Sequence, residues 1–504
     1  MKNFRKRALT SILSGLLLIS MLASCGKDVS DASATTTTEP AATTTQTETA
    51  TATDTALTAN IPNDTDFKNH TFTFLIAGNI ENNWKKNDIK ADEILGEPVN
   101  DARYERNAAI EDLLNIKITC YEDHHSGNQT GTGNGYLDIT KAITAGDYTY
   151  DAAIISAYDC ANLAQKGMLY DLNSLSYLDL SRSWWDQKAN EDLTINGKMY
   201  YTTGSISTAA NDATCAILFN KSMVRDYKLS DPYAMVRDGS WTLEAMIRLG
   251  TDIPADLNND GNYDADDRFA AIVWQDSAMA IVNACGVKCT TPNAQSGELE
   301  LTLYNERSLN MFQLFADAFF PESFSYGYQR VSYDLTTPIN MFSSNQSLYF
   351  MQLLDLVSNF RDTTVDFGIL PYPKYDADQD RYYNTIGSWH SVFLCVPTLQ
   401  QDEERTGIVL EAMAAESMKT VTPAYYEKTL VGKYIRDEES EDMLTTILES
   451  RVFDLGWFYR IGNYGETLIG MWRDRYADLT SRYKQTSRIA EKNLKTLNEA
   501  FKNN

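Results

Sequence analysis

Tyr150-Asp151-Ala152-Ala153-Ile154-Ile155-Ser156-Ala157-Tyr158-Asp159 is a compact apolar run that opens directly onto polar residues. Four apolar residues bounded by Asp151 and Ser156 read as a strand. Upstream, Thr71-Phe72-Thr73-Phe74-Leu75-Ile76-Ala77 is rich in aromatic and β-branched residues and ends at Gly78-Asn79, a second strand. Between the two, residues 98–115 carry apolar positions at helical spacing and run into Ile116-Lys117-Ile118-Thr119, a further strand. Ile139 to Ala145 reads as a short helix. Strand and helix in alternation predict an α/β fold with a parallel sheet covered by helices on both faces.

The C-terminal end is helical by the same logic. Tyr476, Leu479, Tyr483, Ala490, Leu494, Leu497 and Phe501 fall mostly three or four residues apart, which puts them on one helix face. The loop Gly127 to Gly135 lacks the spacing of a phosphate-cradling motif and reads as a plain connection. No internal repeat is visible.

The N-terminal end is different material. Lys2, Arg5, Lys6 and Arg7 give a basic start, and Ala8 to Met21 is a mostly apolar run too short for a good membrane span. Leu22-Ala23-Ser24-Cys25-Gly26 follows. Small residues before a thiol let a peptidase reach the backbone and leave a nucleophile that accepts a lipid. This resembles the bacterial lipobox, so residues 1–24 are expected to be a lipoprotein signal peptide and Cys25 the lipidated anchor. Residues 25–66 are expected to be a disordered tether. Thirteen of the thirty residues from Asp31 to Asn60 are Thr and none is aromatic, so little surface could be buried there.

Composition narrows the functional classes. The 504 residues carry a formal net charge of −25, which repels phosphate backbones and argues against nucleic acid as a partner. After Cys25, the thiols Cys120, Cys160, Cys215, Cys285, Cys289 and Cys395 are too sparse for a disulfide scaffold. They read as small buried apolar residues, with a local Cys285–Cys289 bridge as the alternative. Only His70, His124, His125 and His390 are present, and no HExxH, GxSxG, CxxC or P-loop pattern occurs. The expectation is a binding protein and not an enzyme. Acidic residues are numerous, so a carboxylate pair for glycoside hydrolysis stays open as the alternative.

Several segments together resemble the extracellular solute-binding proteins, family 1, of ABC importers, relatives of maltose-binding protein. They are YDAAIIS (150–156), LAQKGMLYDLNSL (163–175), ILFNKSMV (217–224), GSWTLEAM (239–246), FGILPYPKYDADQDRYY (367–383) and EAMAAESMKTVTPAYYEKTL (411–430). The resemblance implies a two-lobed periplasmic-binding-protein-like fold (type II), with a hinge between discontinuous lobes. Lobe 1 would comprise 67–213 and 391–450, and lobe 2 would comprise 214–390 and 451–504. The chain would cross near Asn211–Asn220, return near Gly387–Val396, and cross again near Arg451–Gly462. The implied function is capture of an extracellular solute, by default an oligosaccharide, by hinge closure and delivery to ABC permease subunits. The protein would act as a monomer, extracytoplasmic and held to the membrane by lipid. The alternative is a surface-anchored polysaccharide-degrading or adhesive lipoprotein.

Sugar sites need flat aromatic rings against pyranose faces and planar polar groups for the hydroxyls. Ligands of open α/β sheets sit outside the carboxyl ends of the strands. Those two rules select Asn79 and Trp84 after the first strand, and Ser156, Tyr158 and Asp159 after the strand at 152–155. Trp274 and Gln275 end the apolar run Ala270 to Val273. At the crossings stand Asn211 and Asp212, Trp389 and His390, and Trp457 and Tyr459. The resemblance places ligand contacts in these regions without fixing single residues. The neighbouring pair Trp184-Trp185 lies in a connecting segment and is read as packing.

The run Asp256 to Asp267 fits a calcium loop of the EF-hand type. Asp256, Asn258, Asp260 and Asp264 would supply side-chain oxygens, Asn262 its carbonyl, and Gly261 the sharp turn. Asp267 stands where a bidentate Glu is usual, so the expected Ca2+ is a weak, structural ion.

Overall fold

The computed structural model describes residues 57–79, 87–125, 130–360, 363–427 and 437–503. The signal peptide, Cys25, most of the tether and Trp84 lie outside the described residues.

The first sheet begins with β1 (His70–Ala77), β2 (Ile116–Glu122), β3 (Ala152–Ser156) and β4 (Tyr201–Thr202). The second holds β5 (Cys215–Asn220) and β6 (Phe269–Val273). A hairpin of β7 (Thr290–Pro292) and β8 (Leu299–Leu301) follows. Then come β9 (Ser325–Gly327), β10 (Ser347–Leu353), β11 (Phe367–Leu370), β12 (Asn384–Thr385), β13 (Val392–Cys395) and β14 (Arg451–Val452). The strand orders are β2-β1-β3-β13-β4 and β11-β5-β10-β6-β9.

In the first sheet β1 runs parallel to β2 and β3, and β13 runs antiparallel to β3 and β4. Period-2 alternation sends Leu75, Ala77, Ala153 and Ile155 to one core and Phe72, Phe74, Ile76, Ala152 and Ile154 to the other. Both faces are therefore covered, which explains a strand as uniformly apolar as β3. The helices Pro98–Leu114 and Glu403–Lys419 contribute Ile110, Leu114, Ile408 and Val409 to one face. The helices Asn134–Ala145 and Ala157–Gln165 contribute Ile139, Cys160 and Leu163 to the other. Helix Pro98–Leu114 starts where Glu97 accepts from the Asn100 amide, with proline in its first turn, and stops at the left-handed Asn115.

The second sheet is mixed. β6 is parallel to β9 and β10, whereas β5 is antiparallel to β10 and β11. Gly368 in β11 is required by close packing: a Cβ there would fall 2.0 Å from the Tyr233 hydroxyl and 2.5 Å from the Phe219 ring.

The chain passes between these sheets in the regions of the first two expected crossings. The first passes from β4 through the helix Ala209–Asp212 into β5, beside the antiparallel bridge Thr214–Ile386. The second runs from β12 through residues 387–391 into β13. The third departs from expectation. Helix Glu438–Glu449, assigned by sequence to the first lobe, packs on β11 of the second sheet. Met443, Leu444 and Ile447 are buried there, and Tyr233 and Ser440 hydroxyls meet at 2.8 Å. The chain has therefore changed sheets before Arg451. β14 then pairs with β12 in parallel, a two-stranded ladder separate from both larger sheets.

The C-terminal helix Leu479–Asn503 buries Leu479, Ala490, Leu497 and Phe501, four of the residues on the face read from sequence. Cys285 and Cys289 are free and fully buried, the apolar reading. Trp184 and Trp185 are buried as well, and the Trp185 indole donates to Glu411 at 2.9 Å. None of the described helices is long and apolar enough to cross a membrane.

Candidate binding cleft

β6, β9 and β10 are parallel, so their carboxyl ends share one edge. That edge faces the turn 387–391, where the chain returns to the first sheet. A cavity of about 310 Å³ opens here. Trp274, Gln275 and Asp276 enter it after β6, Tyr328 and Gln329 after β9, and Gln352 and Leu353 from the end of β10. Trp389 and His390 come from the turn, and Tyr333, Leu335 and Leu356 complete the lining. The size is within the usual range for small-molecule sites, and the lining mixes aromatic rings with a few planar polar groups.

The turn is held by its own backbone. The Gly387 carbonyl accepts from the His390 amide at 3.1 Å, the Ser391 amide at 3.0 Å and the Ser391 hydroxyl at 2.6 Å. Its ring residues meet at steep angles: Trp389 lies edge-on to His390 at 4.7 Å between centroids, and Trp274 is tilted against His390 at 5.5 Å. Burial pushes the His390 imidazole down to about 3, so the ring is neutral. Asp276 is pushed up to about 8, first by burial and then by the charge of Glu466. Gln352 donates to the Tyr328 hydroxyl at 2.7 Å, and burial raises that phenol. Gln329 accepts from the Gln275 amide at 2.9 Å, whereas the Gln275 side-chain oxygen is buried with no partner.

Of the sequence candidates, Trp274, Gln275, Trp389 and His390 share this cavity. Asn79 supports it from the first sheet by donating its side-chain amide to the Trp389 carbonyl. The other described candidates lie outside this cavity and make contacts within the fold; Tyr158 and Tyr459 together line a separate cavity, and Asn211 lines a third. Ser156 caps the helix Ala157–Gln165 by accepting from the Asp159 amide, and Asp159 accepts from the Gly133 amide at 2.8 Å. Tyr158 is buried behind the turn, its hydroxyl 2.7 Å from the Ser388 hydroxyl and 3.3 Å from Glu466. Asn211 accepts from Arg451, and Asp212 accepts from the Tyr425 hydroxyl at 2.7 Å. Trp457 is core and donates to Glu466 at 3.3 Å. Tyr459 packs on Tyr201 and Phe501. Strand-end position alone does not distinguish a side chain facing the cleft from one capping a helix.

Sequence reading missed Asp276, Tyr328, Gln329 and Gln352. Asp276 directly follows a selected pair, and continuing one residue past the strand would have found it. β9 has three residues, too few to announce a strand end. Asp276 is the sole carboxylate among the described residues lining the cavity.

The loop 256–267 is organised by its own side chains. Asp256 accepts from the Asn259 and Gly261 amides at 2.6 and 2.9 Å, and Asp260 accepts from the Asn262 amide at 2.8 Å. Asp267, fully buried, accepts from the Leu257 and Asp264 amides at 2.8 and 3.0 Å. Gly261 takes the left-handed φ of +84° that the sharp turn needs. Among the described residues no group of three or more His, Cys, Asp and Glu side chains is gathered to hold a metal ion.

No protein-family model and no curated protein matches the chain. Solved structures do. A cyclo/maltodextrin-binding protein in complex with maltotetraose is similar over 84% of this chain and 96% of its own, at 12% identity and a TM-score of 0.53. UspC from M. tuberculosis is similar over 85% of this chain and 100% of its own, at 14% identity and a TM-score of 0.52. An ABC substrate-binding protein from Listeria monocytogenes, in complex with cycloalternan, covers 86% and 99%, at 12% identity and a TM-score of 0.50. With two α/β sheets, crossings between them and a cavity at the turn where they meet, the chain has the two-lobed fold of the sugar-binding proteins of ABC transporters.

Proposed function

We propose that this protein is the solute-capturing component of an ABC importer and that its solute is an oligosaccharide. The observation that carries the reading is the cleft itself. Trp274 and Trp389 both contact a neutral imidazole, with Gln275, Gln329 and Gln352 lining the same cavity, at the carboxyl ends of parallel strands of the second sheet. Aromatic faces suit the apolar sides of pyranose rings, and amides suit their hydroxyls. A solute that touches both the strand ends and the hinge turn favours closure, because only the closed state makes all of its contacts. The similar structures bound to maltotetraose and to cycloalternan support the same ligand class.

A thermal-shift screen against neutral, amino and acidic oligosaccharides tests this. A true ligand at a hundred times its Kd stabilises by ~2.7 kcal/mol, a shift of several degrees. The ligand should be recovered intact; hydrolysis products would instead support the polysaccharide-degrading alternative. A flat response to every carbohydrate would overturn the proposal.

The lipobox-like residues 22–26 and the Thr-rich stretch support a lipid anchor at Cys25 and delivery to a membrane permease. Cys25→Ser should shift the protein from the membrane fraction to the medium; unchanged membrane recovery would refute the anchor. For the loop 256–267 the proposal is a weak calcium site, supported by its oxygen spacing and the left-handed Gly261. Calorimetry after chelation should then show millimolar-range binding that Asp260→Ala abolishes, and absence of heat would exclude it.

A further inference from the structure

Asp276 is 7% exposed and lines the cleft. It stands at the N-cap of the helix Ser277–Ala284, yet its carboxylate caps no amide. No described side chain donates to it. The carboxylate is thus nearly enclosed but opens onto the cleft, where only solvent or a ligand can supply its donors.

Its surroundings offer no positive charge. The titratable groups that feel Asp276 are Glu466, Tyr158, Cys215, Tyr328 and Tyr372, every one an acid or a neutral hydroxyl or thiol. Glu466 already takes the Tyr158 and Trp457 donors. His390 is neutral. No Lys or Arg is among the described residues lining the cavity, whereas four of those residues are Trp or Tyr. An anionic ligand would find no positive charge to pair with here. A cation would meet a carboxylate that lacks a donor and ring faces that attract positive charge.

We propose that Asp276 sets the ligand charge of this cleft and that the solute is a glycan bearing a free amine, whose ammonium sits against the Asp276 carboxylate between the aromatic rings. The inference rests on the solute-binding reading above and narrows its substrate class. Neutral sugars satisfy Asp276 through hydroxyl donors only, and uronic acids bring no positive charge to it.

The test is calorimetric titration with matched free-amine and N-acetylated oligosaccharides of glucosamine and galactosamine, beside neutral and uronic-acid oligosaccharides. The free-amine member of a pair should bind at least about tenfold more tightly than its N-acetylated partner. In Asp276→Asn that ratio should fall to near one, with an unchanged melting temperature at low pH reporting an intact fold. Equal binding within each pair, tighter binding of a neutral or acidic sugar, or a preference that survives Asp276→Asn would overturn the inference. Binding of neutral sugars without amine preference overturns only the charge assignment. Absence of binding by every carbohydrate removes the solute-binding reading as well.

Discussion

Trp389→Ala is expected to weaken oligosaccharide binding by roughly 30- to 1000-fold, the ~2–4 kcal/mol typical of a buried aromatic anchor, with little change in melting temperature. The ring is half-buried and stands on a turn, edge-on to His390 at an interplanar angle of 69°. The turn does not depend on it. Gly387 gathers the His390 and Ser391 amides and the Ser391 hydroxyl, and Asn79 holds the Trp389 carbonyl, a backbone atom that alanine keeps. A pyranose covering the indole removes a large apolar area from water, and alanine cannot replace that face. Trp274→Ala would make a less clean probe. That side chain is 3% exposed in the core of the second sheet, so its loss leaves a cavity in the fold as well as in the site. A Trp389→Ala affinity within threefold of the parent would show that the ring is not a wall of the site.

The contrast between those two tryptophans also marks where sequence reasoning succeeds. β1 and β3 were legible because their apolar residues are consecutive and end at polar ones, a pattern that local chemistry dictates. Trp274 and Gln275 were legible for the same reason, since they terminate the run Ala270 to Val273. Helix Glu438–Glu449 was assigned to the wrong lobe because its apolar stripe states that one face is buried, not against which sheet. Ser156 and Asp159 illustrate the same limit at a single site. Each is polar and follows a strand, and each serves the backbone: Ser156 accepts from the Asp159 amide and Asp159 from the Gly133 amide. Whether such a side chain points to a ligand or to a helix amide depends on the backbone of the next turn, which the sequence carries only weakly. Tyr328 and Gln329 were invisible because β9 has no length of its own and exists through pairing with β6.

Asp276→Asn is expected to stabilise the unliganded protein at pH 8 while leaving it near parity at pH 4. In the folded chain burial and Glu466 hold this carboxyl at about 8. In the unfolded chain it ionises near the ordinary value of 3.8. Between those values the folded state keeps a proton that the unfolded state has released, so stability falls as pH rises. The contribution is fully present below the unfolded value and is lost through the folded one, at up to ~1.4 kcal/mol per pH unit. An amide of the same shape does not ionise, so the variant should lack this part of the pH dependence. Melting temperatures of the two proteins, measured from pH 4 to pH 8, should therefore diverge steadily, with the variant higher by several degrees at the upper end. Parallel curves would mean that Asp276 finds a donor in solution and is not held neutral by its surroundings. Divergence would carry a functional consequence. A residue whose replacement stabilises the empty protein is retained against its own folding cost, and that is expected of a group whose partner arrives with the ligand. The same titration repeated with a saturating amine-bearing oligosaccharide should flatten the parent's curve, because the ammonium then supplies the charge that the empty cleft lacks.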